Sequence, residues 1–308
     1  MDMNFLLFCQ QFLNGLQFGV MLFLMASGLT LVFGIMDLIN LAHGSLFMVG
    51  AYLCATVFQK TDSFLLGLLV ALPGTALVGI AMEVITLRKL YTRDHLDQVL
   101  ATFGLILFFN ELTKIVWGPR ALFLDVPEAL SGTIEILPNS PYPAFRLAII
   151  VVGIIIAILL YLMITRTRLG MLIRASATNR EIIGALGVNV RLLYTLVFGL
   201  GALLAGLAGA MAGPLFAVEV GMGEDILILT FVVIVIGGVG SIRGALVGAI
   251  LVGLIDTLGR AFLPAFFKLF IDPATADGVG ASLASMAIYI LMALILAWKP
   301  KGLLPAHG

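Results

Sequence analysis

Residues able to do covalent chemistry are present in this chain, but no spacing joins them into a catalytic group. There is no HExxH, no GxSxG and no paired-aspartate arrangement, so a metal-held water, an activated serine or an acid pair finds no support. No GxxxxGK[ST] occurs, nor any Gly-Lys pair, so nothing here would hold nucleotide phosphates. His43 sits in a polar break while His95 and His307 fall in a loop and a tail, which leaves no ligand set for a metal. Cys9 and Cys54 lie in or beside apolar runs and read as inert packing residues. No cofactor and no metal are expected. The one strong concentration of charge is five arginines, Arg166, Arg168, Arg174, Arg180 and Arg191, against a single acid, Glu181.

That stretch offers mechanical rather than covalent chemistry. Thr178 stands three residues before Glu181, a capping-box spacing, and Gly187 supplies a stop, so a short helix over residues 179–186 is predicted. Ile182, Ala185 and Leu186 share one face of it by their three- and four-residue spacing. Two readings of this apolar ridge stand level on physical grounds. It either rests on lipid headgroups, where the arginines meet anionic lipid, or fits a groove on a cytoplasmic protein.

A second polar group, Asn40, His43 and Ser45 with Gly44 beside them, interrupts the first apolar stretch. Unpaired polar groups are costly in hydrocarbon, so this break belongs to a surface loop or to a broken helix lining a wet passage. Glu83 and Glu111 lie near the ends of their helices, and Asp256 precedes Arg260 by one helical turn. Pairing or snorkelling accounts for these charges. A proton-coupled pump would need a chain of acids or histidines at mid-depth, and none is laid out here.

The elements that carry these residues are set by composition. Of 308 residues 61% are hydrophobic and 11% charged, and mean hydropathy is +1.16, far more apolar surface than one soluble core hides. Lys+Arg and Asp+Glu both total 17, so no net field draws the chain to nucleic acid. A span needs roughly 20 apolar residues. Segments near 12–33, 46–58, 64–85, 99–116, 147–164, 192–211, 226–236, 245–262 and 283–298 give an all-α polytopic membrane protein with about 8–10 spanning or half-spanning helices. The first segment lacks the basic start of a cleaved signal and is expected to stay. One membrane domain over 1–308 is expected, with a cytoplasmic loop at about 165–191.

Basic residues in short loops prefer the cytoplasm. Arg88, Lys89 and Arg93, then the 166–191 loop, then Lys299 and Lys301 mark the inside and place the C terminus there. Asp125, Glu128, Glu135, Glu219, Glu224 and Asp225 mark the outside. The N terminus falls outside unless 46–58 is re-entrant, in which case it falls inside.

Small residues recur at helical spacing in two places: Gly201, Ala205, Gly209 and Gly213, and again Gly240, Gly244 and Gly248. Such faces let helix backbones approach where lipid supplies no hydrophobic drive, and deep packing of both helices is expected. They read as structural, or as a sliding surface in a transport cycle. Gly237, Gly238 and Gly240 together mark a helix that ends in mid-chain, a pattern found around substrate pathways.

Four stretches in order, GLTLVFGIMDLINLAHGSLFMVGAY at 28–52, RLGMLIRASATNREIIGALGVNV at 168–190, LAGLAGAMAGP at 204–214 and GGVGSIRGALVGA at 237–249, resemble the LivH-type permeases of branched-chain amino-acid ABC importers. The closing KPKGLL fits as well, so the resemblance runs over nearly the whole chain. It implies a multi-pass protein of a bacterial inner membrane that works with a second related permease, two cytoplasmic ATP-binding subunits and a periplasmic substrate-binding protein. It also implies that the loop bearing Arg174, Ala175, Thr178, Glu181, Ile182, Ala185, Leu186 and Gly187 docks on the ATPase, and that Asn40, His43, Gly44 and Ser45 line the pathway. An ion-gradient-driven secondary transporter is the second reading. The resemblance extends to branched-chain amino acids as substrate, with other small polar solutes carried by related permeases.

Overall fold

The computed structural model describes residues 3–137 and 140–305, and His307 lies outside the described residues. Among the described residues eleven α-helices follow in order: α1 (Met3–Met36), α2 (His43–Thr61), α3 (Phe64–Ile85), α4 (His95–Trp117), α5 (Ala144–Arg166), α6 (Arg168–Thr178), α7 (Arg180–Ala185), α8 (Val190–Ala212), α9 (Met222–Gly237), α10 (Ile242–Phe267) and α11 (Pro273–Trp298). Seven of the described helices are long and apolar enough to cross a membrane. The chain is an all-α polytopic membrane protein, as its composition requires. All nine apolar segments expected from the sequence lie within helices.

Two strands, β1 (Thr133–Leu137) and β2 (Ser140–Pro143), pair antiparallel between α4 and α5. Nothing in the apolar pattern announces this hairpin, because it is a local excursion in the longest acidic connection. Helix α6 is also unforeseen: Thr167 caps it, its hydroxyl accepting from Gly170 N at 3.1 Å, and it buries Gly170, Ile173 and Ser176.

Packing groups the chain into two compact units. One consists of the chain up to Phe23, Pro127–Ile154 and everything from Thr230 onward. In it α10 meets the first part of α1 through glycines, since a Cβ on Gly19 would stand 2.8 Å from the Ala249 carbonyl oxygen. Gly248 likewise faces the Val233 carbonyl of α9. Asn14 of α1 accepts from Arg146 of α5 at 2.6 Å, and Gln10 donates to Ser140 of the hairpin at 2.9 Å. Along this small-residue face α10 is deeply packed, and most of the rest of its surface is part-buried, some of it against α11, where Gly280 faces Pro264.

The second unit comprises Leu24–Val126 and Ile155–Leu229. Its centre is α8, which is buried almost throughout from Val197 to Ala212. Gly201 opposes Gly28 of α1, Gly209 opposes Phe47 of α2, and on another face Gly206 opposes Thr75 of α3 and Gly50 of α2. Backbone-to-backbone contact of this kind is what small residues permit between helices in lipid. Gly213 falls outside the stripe, ending α8 as its cap residue beside Leu124 and Val218.

These contacts settle the path of the first hairpin. Ile35 near the end of α1 accepts from the Tyr194 hydroxyl at the start of α8, and Glu83 at the end of α3 meets Thr195. Ile39 is bound by Gln98 at the start of α4, whereas Thr56 near the end of α2 accepts from Trp117 at the end of α4, 2.6 Å away. Helix α2 therefore runs alongside α4 in the same sense, its start toward the start of α4 and its end toward Trp117. The helix is longer than the sequence suggested by three residues at each end, running from His43 to Thr61 rather than from 46 to 58.

Candidate functional site

The polar break between α1 and α2 lies inside the helix layer of its unit. Helix α1 stops where Asp37 takes φ +50°, a left-handed conformation unusual for a residue with a side chain. The chain then turns back, so that His43 sits beside Gly28, eight residues before the end of α1 at Met36; a Cβ on Gly28 would lie 3.0 Å from His43 Nε2. Asn40 and His43 are wholly buried and Ser45 nearly so. A solvated surface loop is excluded by that burial, which leaves a broken helix.

Helix α9 begins at the same place. Gly44 and Gly223 meet backbone to backbone, each occupying the space where the other would carry a Cβ. At sixteen residues α9 is one of the two shortest apolar helices, and its exposed Glu224 accepts from Asn110 of α4 at 2.5 Å. Two helix starts thus converge on one point. Around them, both polar atoms of the Asn40 side chain and both ring nitrogens of His43 are buried without a hydrogen-bond partner among the described residues. Thr30, Tyr52 and Thr75 carry unpartnered hydroxyls in the same unit. Buried groups left unsatisfied cost about 1–3 kcal/mol each, so Asn40 and His43 in this break are groups that a polar solute or water would relieve.

The segment after α5 is built as two short helices. Asn179, not Thr178, caps α7: its Oδ1 accepts from the amides of Glu181 and Ile182, each at 3.1 Å. The Thr178 hydroxyl is instead turned back to the Arg174 carbonyl at 3.1 Å, because α6 extends through it. The predicted capping box fails for that reason. Gly187 does end the helix, at φ +86°, with its amide on Gly184 O and that of Val188 on Ile183 O, a Schellman closure. Ile182 and Leu186 are 57% and 73% exposed, and Ala185 is exposed between them. Arg174 donates to the Ile164 carbonyl, and its neighbour Ala175 accepts from the Asn179 amide that opens the turn.

A third cluster was not foreseen as a unit. Glu83, fully buried at the end of α3, receives Arg88 Nε at 3.1 Å and Nη2 at 2.9 Å, the Tyr91 hydroxyl at 2.7 Å and the Thr195 hydroxyl at 2.8 Å. Arg88 also donates to Thr195 at 2.7 Å. Burial, reinforced by the bond to Glu83, pushes the Tyr91 hydroxyl well above the usual tyrosine range, so it stays a donor at neutral pH. The sequence signal was only a buried-range acid with an arginine five residues on; Thr195 is more than a hundred residues away.

Gly237, Gly238 and Gly240 lie at the α9–α10 turn, with φ +106° at Gly238 and +80° at Gly240. The chain's own end fills the space beside them: Leu303 N donates to Ile236 O at 2.8 Å and Leu304 N to Gly237 O at 2.9 Å. These bonds satisfy carbonyls that the end of α9 would otherwise leave open. Gly244 packs on Gly237, and Gly240 leads to Ser241, which caps α10 through Gly244 N at 3.0 Å. Asp256 and Arg260 pair at 2.9 Å on α10, and Glu111 pairs with Lys114 at 2.6 Å on α4.

No solved structure matches the chain. Among curated proteins it is similar to the high-affinity branched-chain amino acid transport system permease protein BraD of Pseudomonas aeruginosa, 29% identical over 96% of this chain and 95% of that one. The permease protein LivH of Salmonella typhimurium is 28% identical, and that of Escherichia coli 27%, each over 99% of this chain and 97% of the relative. The family model described as branched-chain amino acid transport system / permease component matches residues 11–297. With a polytopic helical fold and that match over nearly its full length, this chain belongs to the branched-chain amino-acid transport permease family.

Proposed function

We propose that the chain is the membrane-spanning half of an ATP-driven importer for branched-chain amino acids or related small polar solutes in a bacterial inner membrane. It works with a second related permease, two cytoplasmic ATP-binding subunits and a periplasmic binding protein. The observation that carries this reading is the exposed Ile182, Ala185 and Leu186 ridge on a helix capped at both ends within a basic segment. A six-residue helix held by Asn179 and Gly187 moves as one piece, and its apolar face needs a protein groove. Family membership favours this over an ion-gradient-driven carrier and over an enzyme. ATP hydrolysis belongs to the partner subunits, since the chain has no phosphate-binding loop.

In this mechanism the α6–α7 segment is cytoplasmic, as are the C terminus and the Arg88 loop, while the N terminus and the acidic loops face the periplasm. Closure of the ATPases pushes α7, and the glycine-faced helices tilt to open one side or the other. The Asn40–His43 break and the start of α9, with Gly44 and Ser45 between them, form the passage that solute crosses. Glu181→Arg should leave membrane insertion and assembly intact and abolish ATP-dependent uptake; uptake at the parent level would remove the coupling role.

A further inference from the structure

The Glu83 cluster does more than neutralise an acid. Four residues separate the end of α7 at Ala185 from the start of α8 at Val190, so any displacement of α7 acts directly on the first turn of α8. The first two turns of α8 carry Arg191, Tyr194 and Thr195. Thr195 is held by Glu83 of α3, and Tyr194 is held by the Ile35 carbonyl of α1 at 3.2 Å. Tyr91, which donates to Glu83, also stands edge-on to the Tyr194 ring with centroids 5.4 Å apart. The ends of α1, α3 and α8 are thus tied to one another beside the proposed input point.

An ion pair whose carboxylate is fully buried is a poor choice if stability alone is wanted, since well-packed apolar residues serve as well or better. What this one adds is direction: Arg88 and Tyr91 from the connection after α3 and Thr195 of α8 together take both carboxylate oxygens of Glu83, so the end of α3 is held to the start of α8 at one point. Gly79, one turn earlier on α3, faces the Ala202 methyl of α8 where a Cβ of its own would not fit, so the two helices have a close pivot next to that fastening.

We infer that Glu83, with Arg88, Tyr91 and Thr195, is the joint through which movement of α7 is passed from α8 to α3, making Glu83 a positioning residue for transport. This rests on the coupling reading above. The experiment uses the complete reconstituted transporter with Glu83→Gln, Thr195→Val and Thr195→Ser, measuring assembled complex, ATP hydrolysis and solute uptake on the same samples. Glu83→Gln and Thr195→Val should assemble and hydrolyse ATP, while solute moved per ATP falls about tenfold; Thr195→Ser should restore it. Should Glu83→Gln not assemble, the two Thr195 variants decide the matter. Uptake and hydrolysis that decline together with the amount of assembled complex, or a Thr195→Ser no better than Thr195→Val, would overturn the proposal. Absence of ATP-dependent uptake by the parent complex would instead overturn the coupling reading beneath it.

Discussion

Gly209 of α8 faces the main chain of Phe47 of α2 so closely that a Cβ at 209 would overlap the Phe47 carbonyl oxygen. The neighbour is backbone, which cannot swing aside. Gly209→Ala should therefore cost about 1–3 kcal/mol, as overpacking does, and lower the melting temperature of the purified protein. Gly104→Ala is the matched control. A Cβ there meets nothing within 4 Å, so the exchange should be neutral or stabilising by up to about 1 kcal/mol through helix propensity.

Asn179 holds α7 by a side-chain oxygen that aspartate can reproduce and alanine cannot. Asn179→Ala should weaken the helix by about 1 kcal/mol and reduce ATP-dependent uptake, and Asn179→Asp should keep most of it. Hydrogen exchange of the Glu181 and Ile182 amides provides the direct readout. Thr178→Ala, by contrast, should leave those two amides protected.

Gly187 occupies a left-handed conformation that costs other residues about 1–2 kcal/mol. Gly187→Val should unravel the end of α7 and depress uptake more than Gly187→Asn, because asparagine tolerates that conformation. Equal uptake by the two variants would show that the ending of this helix has no part in coupling.

Asn40 separates a pathway role from a packing role by the sign of its effect. Its amide is buried and unpartnered, so Asn40→Leu removes an unmet polar cost of about 1–3 kcal/mol and should leave thermal stability unchanged or raised. Uptake should nonetheless fall sharply. Loss of both stability and assembly would mark the break as structural.

The helices were legible because each apolar run states its own length, and lipid leaves the backbone no alternative to helix. Residues close in sequence were legible too: Asp256 with Arg260, the face of Ile182, Ala185 and Leu186, and the stop at Gly187. Thr178 misled because two residue types able to cap stand side by side, and the extent of α6 decides which of them is free. The sense in which α2 runs depended on contacts of Ile39 and Thr56 with α4, about sixty residues away in each case. The Glu83–Thr195 bond and the meeting of Gly44 with Gly223 are likewise products of the tertiary fold, and no local pattern encodes them.

The most direct test is uptake of a labelled branched-chain amino acid into vesicles carrying this chain alone or with its second permease, ATP-binding subunits and binding protein. The account predicts accumulation only in the complete assembly and only with ATP. Accumulation by the chain alone under an ion gradient would contradict it.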